Sequence, residues 1–166
     1  MLECDGVEMY QSDAMLKWIG RMGDGALFPC DDPAMLFKIE EMLGLGGDFS
    51  RAWMPCLYIG MRHTAYGHPE KWDDKAKVVQ EMREKFVADE LPKYMAFFTN
   101  ELEKSGGFLC GPKPTIADCA IYPQLHYFQR GVADHVPKEC LDGYPVVIAW
   151  LARFRALPEL QKHYGA

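Results

Sequence analysis

The stretch Phe-Leu-Cys-Gly-Pro-Lys-Pro-Thr-Ile-Ala-Asp-Cys-Ala at residues 108–120 predicts how one helix of the fold begins. Thr115 is a favoured N-cap residue, and Asp118 stands where its carboxylate can accept a hydrogen bond from the backbone N–H of that cap. Such a capping box satisfies two N–H groups that a helix start leaves without partners. The residues that follow are too apolar for a surface helix: Ala120, Ile121, Leu125 and Phe128. We therefore predict a buried helix, and structural roles for Thr115 and Asp118.

A capping box alone carries no functional information, because any Thr-x-x-Asp before an apolar run has that form. The flanking sequence is more specific: Gly-Phe-Leu-Cys-Gly-Pro-Lys at 107–113, Leu-Asp-Gly-Tyr-Pro at 141–145 and Leu-Pro-Glu-Leu at 157–160. Residues 2–14 add two short apolar runs around an Asp-Gly pair, which is a hairpin signal, and then Gln-Ser at a helix start. Together these motifs resemble the cytosolic glutathione transferases, closest to the sigma-like type.

The resemblance implies a mainly α fold, with the transferase C-terminal helical bundle preceded by a partial thioredoxin-like β-hairpin and helix. Residues 1–23 would be the second half of the thioredoxin-like domain, residues 24–32 the linker, and residues 33–166 the helical domain. In the family, the strand with the thiol-activating Tyr, Ser or Cys and a cis-proline precede the residue that is Met1 here. The resemblance therefore implies no catalytic residue within this chain.

Composition excludes several function classes. A net charge of -6 and a pI near 5.3 argue against a nucleic-acid partner. No segment is apolar over the length that spans a bilayer, and no signal peptide is evident, so we expect a cytoplasmic protein, or an organellar one if a transit peptide precedes this sequence. The six cysteines form no C-x-x-C pair, and His63 and His68 lack further ligands at suitable spacing, so we predict no metal site.

Hydrophobic periodicity predicts a helix from Ser12 to about Met22, one from Pro145 to Arg155, and a terminal turn at 158–164. The segment Pro33–Met61 contains the cluster Gly-Leu-Gly-Gly at 44–47, which by itself predicts a loop, whereas the resemblance implies one long, bent helix. A further long helix over 74–104 should kink or break at Leu91-Pro92, with these side chains inward: Tyr94, Phe97, Phe98 and Leu102.

Three sets of residues are candidates for function. The resemblance implies that Gln11 and Ser12 hold the γ-glutamyl end of glutathione, although Ser12 could instead simply cap its own helix. It also implies that Asp48 reaches the γ-glutamyl amino group bound in a neighbouring subunit, although an aspartate after Gly-Gly could be only a turn or cap residue. Four apolar residues would lie near the family's electrophile pocket or belong to the core: Met54, Leu57, Tyr58 and Met61.

Two functions follow from the resemblance. The chain could belong to a glutathione transferase that conjugates glutathione to an electrophile once strands preceding Met1 complete it, or it could be a non-catalytic, transferase-derived subunit or scaffold in a larger protein complex. As an enzyme we expect a homodimer through the helices at 12–22 and 33–61, for which Met35 to Leu43 would offer an apolar face. The sequence does not distinguish conjugation from isomerase or peroxidase activity, nor does it identify the electrophile.

Overall fold

The computed structural model describes the backbone of residues 1–164 and the side chains of residues 1–162, so the last two residues of the predicted helical domain, 33–166, lie outside the described part. Two strands and seven α-helices follow one another along it: β1 (Leu2–Cys4), β2 (Val7–Met9), α1 (Ser12–Gly20), α2 (Pro33–Met61), α3 (Lys75–Lys85), α4 (Leu91–Ser105), α5 (Ile116–Gln129), α6 (Pro145–Arg155) and α7 (Pro158–Tyr164). The predicted fold class is thereby confirmed. Within the described residues, no helix is both long and apolar enough to cross a bilayer.

The N-terminal strands form the predicted hairpin. They pair antiparallel, with Leu2 opposite Met9 and Cys4 opposite Val7. The turn residues Asp5 and Gly6 have φ angles of 52° and 77°, as a tight hairpin turn with the twist of its strands requires. The sequence pattern at this turn therefore acts as predicted.

Helix α1 ends at Gly20, two residues before the predicted end at Met22. The N–H groups of Arg21 and Met22 donate to the carbonyls of Trp18 and Ile19, which tightens the last turn and stops the helix. The apolar stripe predicted for this helix is not buried, since Trp18, Ile19 and Met22 are each about half exposed.

The glycine cluster does not interrupt α2, which is one continuous helix of 29 residues. Asp32 caps it by accepting hydrogen bonds from the N–H groups of Ala34 and Met35, and Pro33 occupies its first turn. Gly46 is buried against α5: a Cβ atom at this position would lie 2.7 Å from Cγ1 of Ile121. The glycine therefore permits close packing of two helices, which local helix propensity cannot reveal.

The long helix predicted over 74–104 is divided as expected, and α4 begins at Leu91 with Pro92 in its first turn. A turn of π-helix at Phe86–Glu90 separates α3 from α4. Pro92 has no N–H to donate to the carbonyl of Ala88, and its ring would clash there, so the wider turn precedes the proline. Phe98 and Leu102 face the core and Tyr94 is half-buried, whereas the inward placement of Phe97 is wrong because it is 57% exposed.

Helix α5 lies at the centre of the bundle, where it packs against α2 and α6. Its buried residues are Ile116, Ala117, Asp118, Ile121, Leu125 and Phe128, which confirms that the capped helix belongs to the core. The aromatic rings of Phe49, Trp53 and Phe86 pack against Phe128 of this helix, with the Trp53 and Phe128 centroids 4.9 Å apart. The periodic apolar face of α6 is buried as well.

The predicted capping box is present, and Asp118 does more than cap a helix. Its side chain is fully buried and accepts hydrogen bonds from the backbone N–H groups of Thr115 and Leu109, both at 2.9 Å. The indole N–H of Trp150 in α6 donates to the same carboxylate at 2.8 Å. Burial raises the pKa of the Asp118 carboxyl, and these hydrogen bonds oppose that shift. One side chain therefore joins α5, α6 and the preceding loop.

Replacement of Asp118 is expected to cost far more than replacement of an ordinary helix cap. Asp118→Ala leaves three buried N–H donors without acceptors and should lower the free energy of unfolding by about 3 to 5 kcal/mol. Asp32→Ala, the matched control at the exposed cap of α2, should cost about 1 kcal/mol. Denaturant unfolding of both variants measures the difference, and equal losses would contradict the role assigned to Asp118.

Two glycines of α2 should respond oppositely to alanine. Gly44 has open space around its Cβ position, so Gly44→Ala should stabilise the protein by about 0.5 to 1 kcal/mol through helix propensity. Gly46→Ala forces a methyl group into Ile121 and should destabilise by about 1 kcal/mol or more despite the same propensity gain. Thermal unfolding of the pair tests the close contact between α2 and α5; stabilisation by Gly46→Ala would show that the contact is absent.

Candidate functional site

The start of α1 has the geometry of an anion site. Gln11 is the N-cap residue, with a φ angle of 71° and a ψ angle of 113°, an unusual conformation for a residue with a side chain. No side chain caps the helix, so the alternative that Ser12 caps its own helix is wrong. The first N–H groups of α1 therefore remain available, together with the positive end of the helix dipole and the Ser12 hydroxyl.

Helix α1 is held in place through its C-terminal end. A Cβ atom on Gly20 would lie 2.5 Å from Cγ2 of Ile116, so only glycine permits this approach to the start of α5. The N–H of Ile116 also donates to the carbonyl of Leu27 at 3.0 Å, which fixes the segment after α1. Lys17 forms a salt bridge of 2.8 Å with Glu40 of α2. The capped start of α5 thus determines where α1 lies.

Asp48 is exposed on α2, at a groove between α2 and α4. Its carboxylate pairs with the guanidinium of Arg51 one turn later, and its backbone carbonyl accepts a hydrogen bond from the hydroxyl of Tyr94 at 3.2 Å. Burial raises the pKa of Tyr94, and the nearby Asp48 carboxylate acts in the same direction. Sequence reasoning missed Arg51 and Tyr94; the (i, i+3) spacing of Asp48 and Arg51 was the available signal for the first.

Within one chain the structure does not join Asp48 to the start of α1. Among the described residues, no hydrogen bond or ion pair links Asp48 with Gln11 or Ser12. Helix α1 meets α2 at Glu40, which lies about 12 Å before Asp48 along the helix. The predicted glutathione residues therefore occupy two separate places on one protomer.

The four apolar candidates lie on the last turns of α2. Met61 is 66% exposed and Met54 is also exposed, so the core alternative is wrong for these two, whereas Leu57 packs against the core. Tyr58 is half-buried, and the guanidinium of Arg62 lies 5.2 Å from the centre of its ring. Met54 and Met61 thus present exposed apolar side chains near the C-terminal end of α2, and none of the four candidates lines the groove at Asp48 or the cavity beside α5.

The two histidines after α2 contact an aromatic ring. His68 stacks on Trp72 with ring centroids 3.6 Å apart and an angle of 8° between the planes. Nε2 of His63 lies 3.2 Å from the carbonyl oxygen of Glu70. In the part of the chain that the structure describes, no three His, Cys, Asp or Glu side chains are grouped as a metal site would require.

Three of the cysteines are poor nucleophiles at neutral pH. Burial raises the pKa of the Cys110, Cys119 and Cys140 thiols to about 11 in each case, so thiolate is scarce below that range. Cys56 is buried too, and burial raises the pKa of its thiol. These thiols fill space in or beside the core rather than serving as reactive groups.

Comparison with known proteins agrees with the fold. A glutathione S-transferase from Ascaris lumbricoides superposes with a TM-score of 0.72 at 23% identity, over 98% of this chain and 70% of that one. Prostaglandin synthase D of Nilaparvata lugens gives 0.75 at 17% identity, and a monomeric glutathione S-transferase from the hookworm Necator americanus gives 0.70 at 22%, both with the same coverage. At these identities the likeness shows the fold.

No curated protein matches the sequence at a significant level. The family described as glutathione S-transferase, C-terminal domain, matches residues 61–165, which is more than half of the chain. That segment contains the capping box, the buried helix α5 and the α6 face that closes over it. The chain therefore belongs to the glutathione S-transferase C-terminal domain family.

Proposed function

We propose that the chain is part of a glutathione transferase-like protein, in which it holds the γ-glutamyl end of glutathione and supplies a wall of the electrophile site. The observation that carries the proposal is the uncapped start of α1 behind the strained residue Gln11. A carboxylate placed there would accept hydrogen bonds from the first N–H groups of the helix and meet the positive end of its dipole. The Ser12 hydroxyl can donate a further hydrogen bond.

Asp48 supports the same proposal only if a second subunit takes part. Because Asp48 and α1 are separate within one chain, the carboxylate would reach the γ-glutamyl amino group of glutathione held by a neighbouring protomer. A charge-assisted contact of this kind contributes about 1.5 to 3 kcal/mol. Without glutathione, the carboxylate of Asp48 pairs with the guanidinium of Arg51. The γ-glutamyl ammonium group of glutathione would therefore compete with Arg51 for this carboxylate.

The homodimer remains a prediction, but different residues are now expected at its interface. Ile39 and Met42 are buried in the core of their own chain, and Met35 and Leu36 are partly buried against it, so little of this face is left for a partner. Exposed apolar side chains that a partner could cover include Phe37 on α2, which is 72% exposed, and Phe97 on α4. Phe97 borders the groove that contains Asp48, so a partner seated there would lie close to that carboxylate.

A non-catalytic subunit of a larger complex is the second candidate function. A two-stranded hairpin is only marginally stable in water, and apolar side chains of the hairpin and α1 are exposed: Val7, Tyr10, Trp18, Ile19 and Met22. A covering element would stabilise this surface, whether it is the thioredoxin-like strands of a transferase or another protein. The two functions differ in whether the protein, once this surface is covered, catalyses the conjugation of glutathione.

Glutathione affinity and stability should separate the role of Ser12 from a structural one. Ser12→Ala should weaken glutathione binding about tenfold through the lost hydrogen bond, while the midpoint of thermal unfolding stays unchanged because Ser12 caps nothing. Calorimetric titration with glutathione, on a preparation with a single oligomeric state, measures the affinity. Asp48→Asn should also weaken binding, and Asp74→Asn, at another exposed aspartate without a capping hydrogen bond, serves as its control. Undiminished affinity in Ser12→Ala would contradict the site.

Turnover should depend on thioredoxin-like strands that the family places before this sequence. Free thiols are mostly protonated at neutral pH, and none of the described side chains has the family's thiol-activating role, so the 166-residue chain should conjugate glutathione to a generic aromatic electrophile at close to the uncatalysed rate. Fusion to the first strands of a sigma-like transferase should raise the rate by orders of magnitude. A fused protein that binds glutathione without turnover would favour the non-catalytic subunit, and strong activity of the chain alone would reveal an activating group within it.

A further inference from the structure

The segment at residues 62–72, between α2 and α3, brings two histidines and a tryptophan into one cluster. His68 stacks flat on Trp72, with ring centroids 3.6 Å apart, and the ring of His63 lies 5.9 Å from the same indole. We call this segment the 62–72 loop. Its only residues that are not exposed are these three, so the ring cluster is what holds the loop closed.

The closed loop fits the neutral form of His63. Nε2 of His63 lies 3.2 Å from the carbonyl oxygen of Glu70, and because a carbonyl can only accept, Nε2 carries the hydrogen. Nδ1 is buried and has no hydrogen-bond partner. A second proton, on Nδ1, would therefore create a buried N–H and a positive charge without an acceptor, which is a costly arrangement.

The charged groups around the loop leave a charge on His63 uncompensated. The last turns of α2, on which the loop packs, contain no charged residue between Arg51 and Arg62, and the guanidinium of Arg62 lies over the ring of Tyr58. Within residues 1–162 neither histidine of the loop forms an ion pair. The nearby acidic residues are exposed, so solvent screens their attraction: Glu70, Asp73 and Asp74. The nearby basic residues would repel a further positive charge: Arg62, Lys71 and Lys75.

The stack of His68 on Trp72 responds to a proton in the opposite direction. An imidazolium is attracted to the face of an indole, so protonation of His68 alone would tighten the loop. Both rings are only half-buried, and such an attraction is small where water has access, whereas a buried charge without a hydrogen-bond partner costs much more. The cost at His63 therefore determines the direction of the response.

We propose that the 62–72 loop is a pH-dependent conformational switch, closed while His63 is neutral and open when His63 takes up a proton. The ordinary pKa of histidine in water is about 6.5, so below that pH the open loop binds one proton more than the closed loop. The closed loop is fully favoured above this range. As the pH falls through it, the ratio of open to closed loop should rise by up to roughly tenfold per pH unit.

The switch would act on the surface at the end of α2. Tyr58 and Met61 lie directly before the loop, and Met61 is already exposed when the loop is closed. Opening would free the chain that follows these residues and so change the apolar surface that they present. The inference does not rest on the proposed glutathione function, because it concerns the contacts of the loop alone.

Fluorine NMR of the protein labelled with 5-fluorotryptophan tests the switch. The Trp72 resonance, assigned with Trp72→Phe, should report an open fraction that rises about tenfold or more between about pH 7.5 and 5.5. The signals of Trp53 and Trp150, which are buried in the core, should stay in place and so exclude global unfolding.

Two variants separate the histidines. His63→Gln keeps an N–H for the Glu70 carbonyl and cannot take up a proton, so its loop should stay closed at the lower pH. His68→Gln, the matched control in the same loop, loses the stack and should keep the pH response from a shifted starting point. A response that survives in His63→Gln and disappears in His68→Gln would overturn the proposal.

A measurement on the unaltered protein remains decisive if His63→Gln holds the loop open at every pH. The side-chain nitrogen resonances of His63 distinguish the neutral ring from the imidazolium, and the imidazolium should appear only together with the open Trp72 signal. Imidazolium at His63 while Trp72 keeps its closed signal would contradict the switch, as would a Trp72 signal that is constant over this pH range.

Discussion

The buried carboxylate of Asp118 accepts hydrogen bonds from two segments, the loop that precedes α5 and helix α6, and the arrangement of the helical domain depends on this convergence. A carboxylate removed from water loses its hydration, and the loss is tolerable only when enough donors replace it. The donors here are the N–H groups of Leu109 and Thr115 and the indole of Trp150. Any arrangement that separates α6 or the 107–115 loop from α5 removes part of this set of donors, so the packing of both segments on α5 is coupled through one side chain.

The same network positions the candidate site without belonging to it. Thr115 and Asp118 fix the first turn of α5, and the next residue after the cap, Ile116, both packs on Gly20 and bonds to Leu27. The loop before the cap also docks on α2, where the thiol of Cys110 donates to the carbonyl of Lys38. The start of α1, where glutathione is proposed to bind, is therefore oriented from its far end. Residues that determine the fold can then alter function without touching a ligand.

The sequence predicted features whose causes are local or periodic. The capping box, the Asp-Gly hairpin and the helix from Pro145 to Arg155 each follow from a short pattern, and each is confirmed. Features that depend on distant partners were not predictable in this way. The donors from Leu109 and Trp150 to Asp118, and the packing of Gly46 on Ile121, require knowledge of which segments meet. Phe97 was predicted to face inward because helical periodicity indicates which side of a helix is apolar. It does not indicate how much of that side is buried.

In the candidate site, too, local features could be predicted from the sequence, whereas features of the folded chain could not. Gln11 and Ser12 could be identified because a helix start is a local feature, but the positive φ angle of Gln11 and the absence of a side-chain cap are properties of the folded chain. Asp48 could be named and its (i, i+3) spacing to Arg51 is a local signal, whereas the hydrogen bond from the hydroxyl of Tyr94 to its backbone carbonyl comes from the meeting of α2 and α4. The cavity between α5, α6 and α7 is assembled from three separate segments, and no single stretch of sequence indicates it.

Native-state hydrogen exchange tests most directly whether Asp118 organises the domain. The N–H groups of Leu109 and Thr115 lie outside the helices, and their acceptor is this one carboxylate. They should exchange as slowly as the buried amides in the middle of α5, through opening of the whole domain, and the indole N–H of Trp150 should behave alike. Exchange of Leu109 and Thr115 at the rate of an exposed turn, while α5 remains protected, would contradict the account.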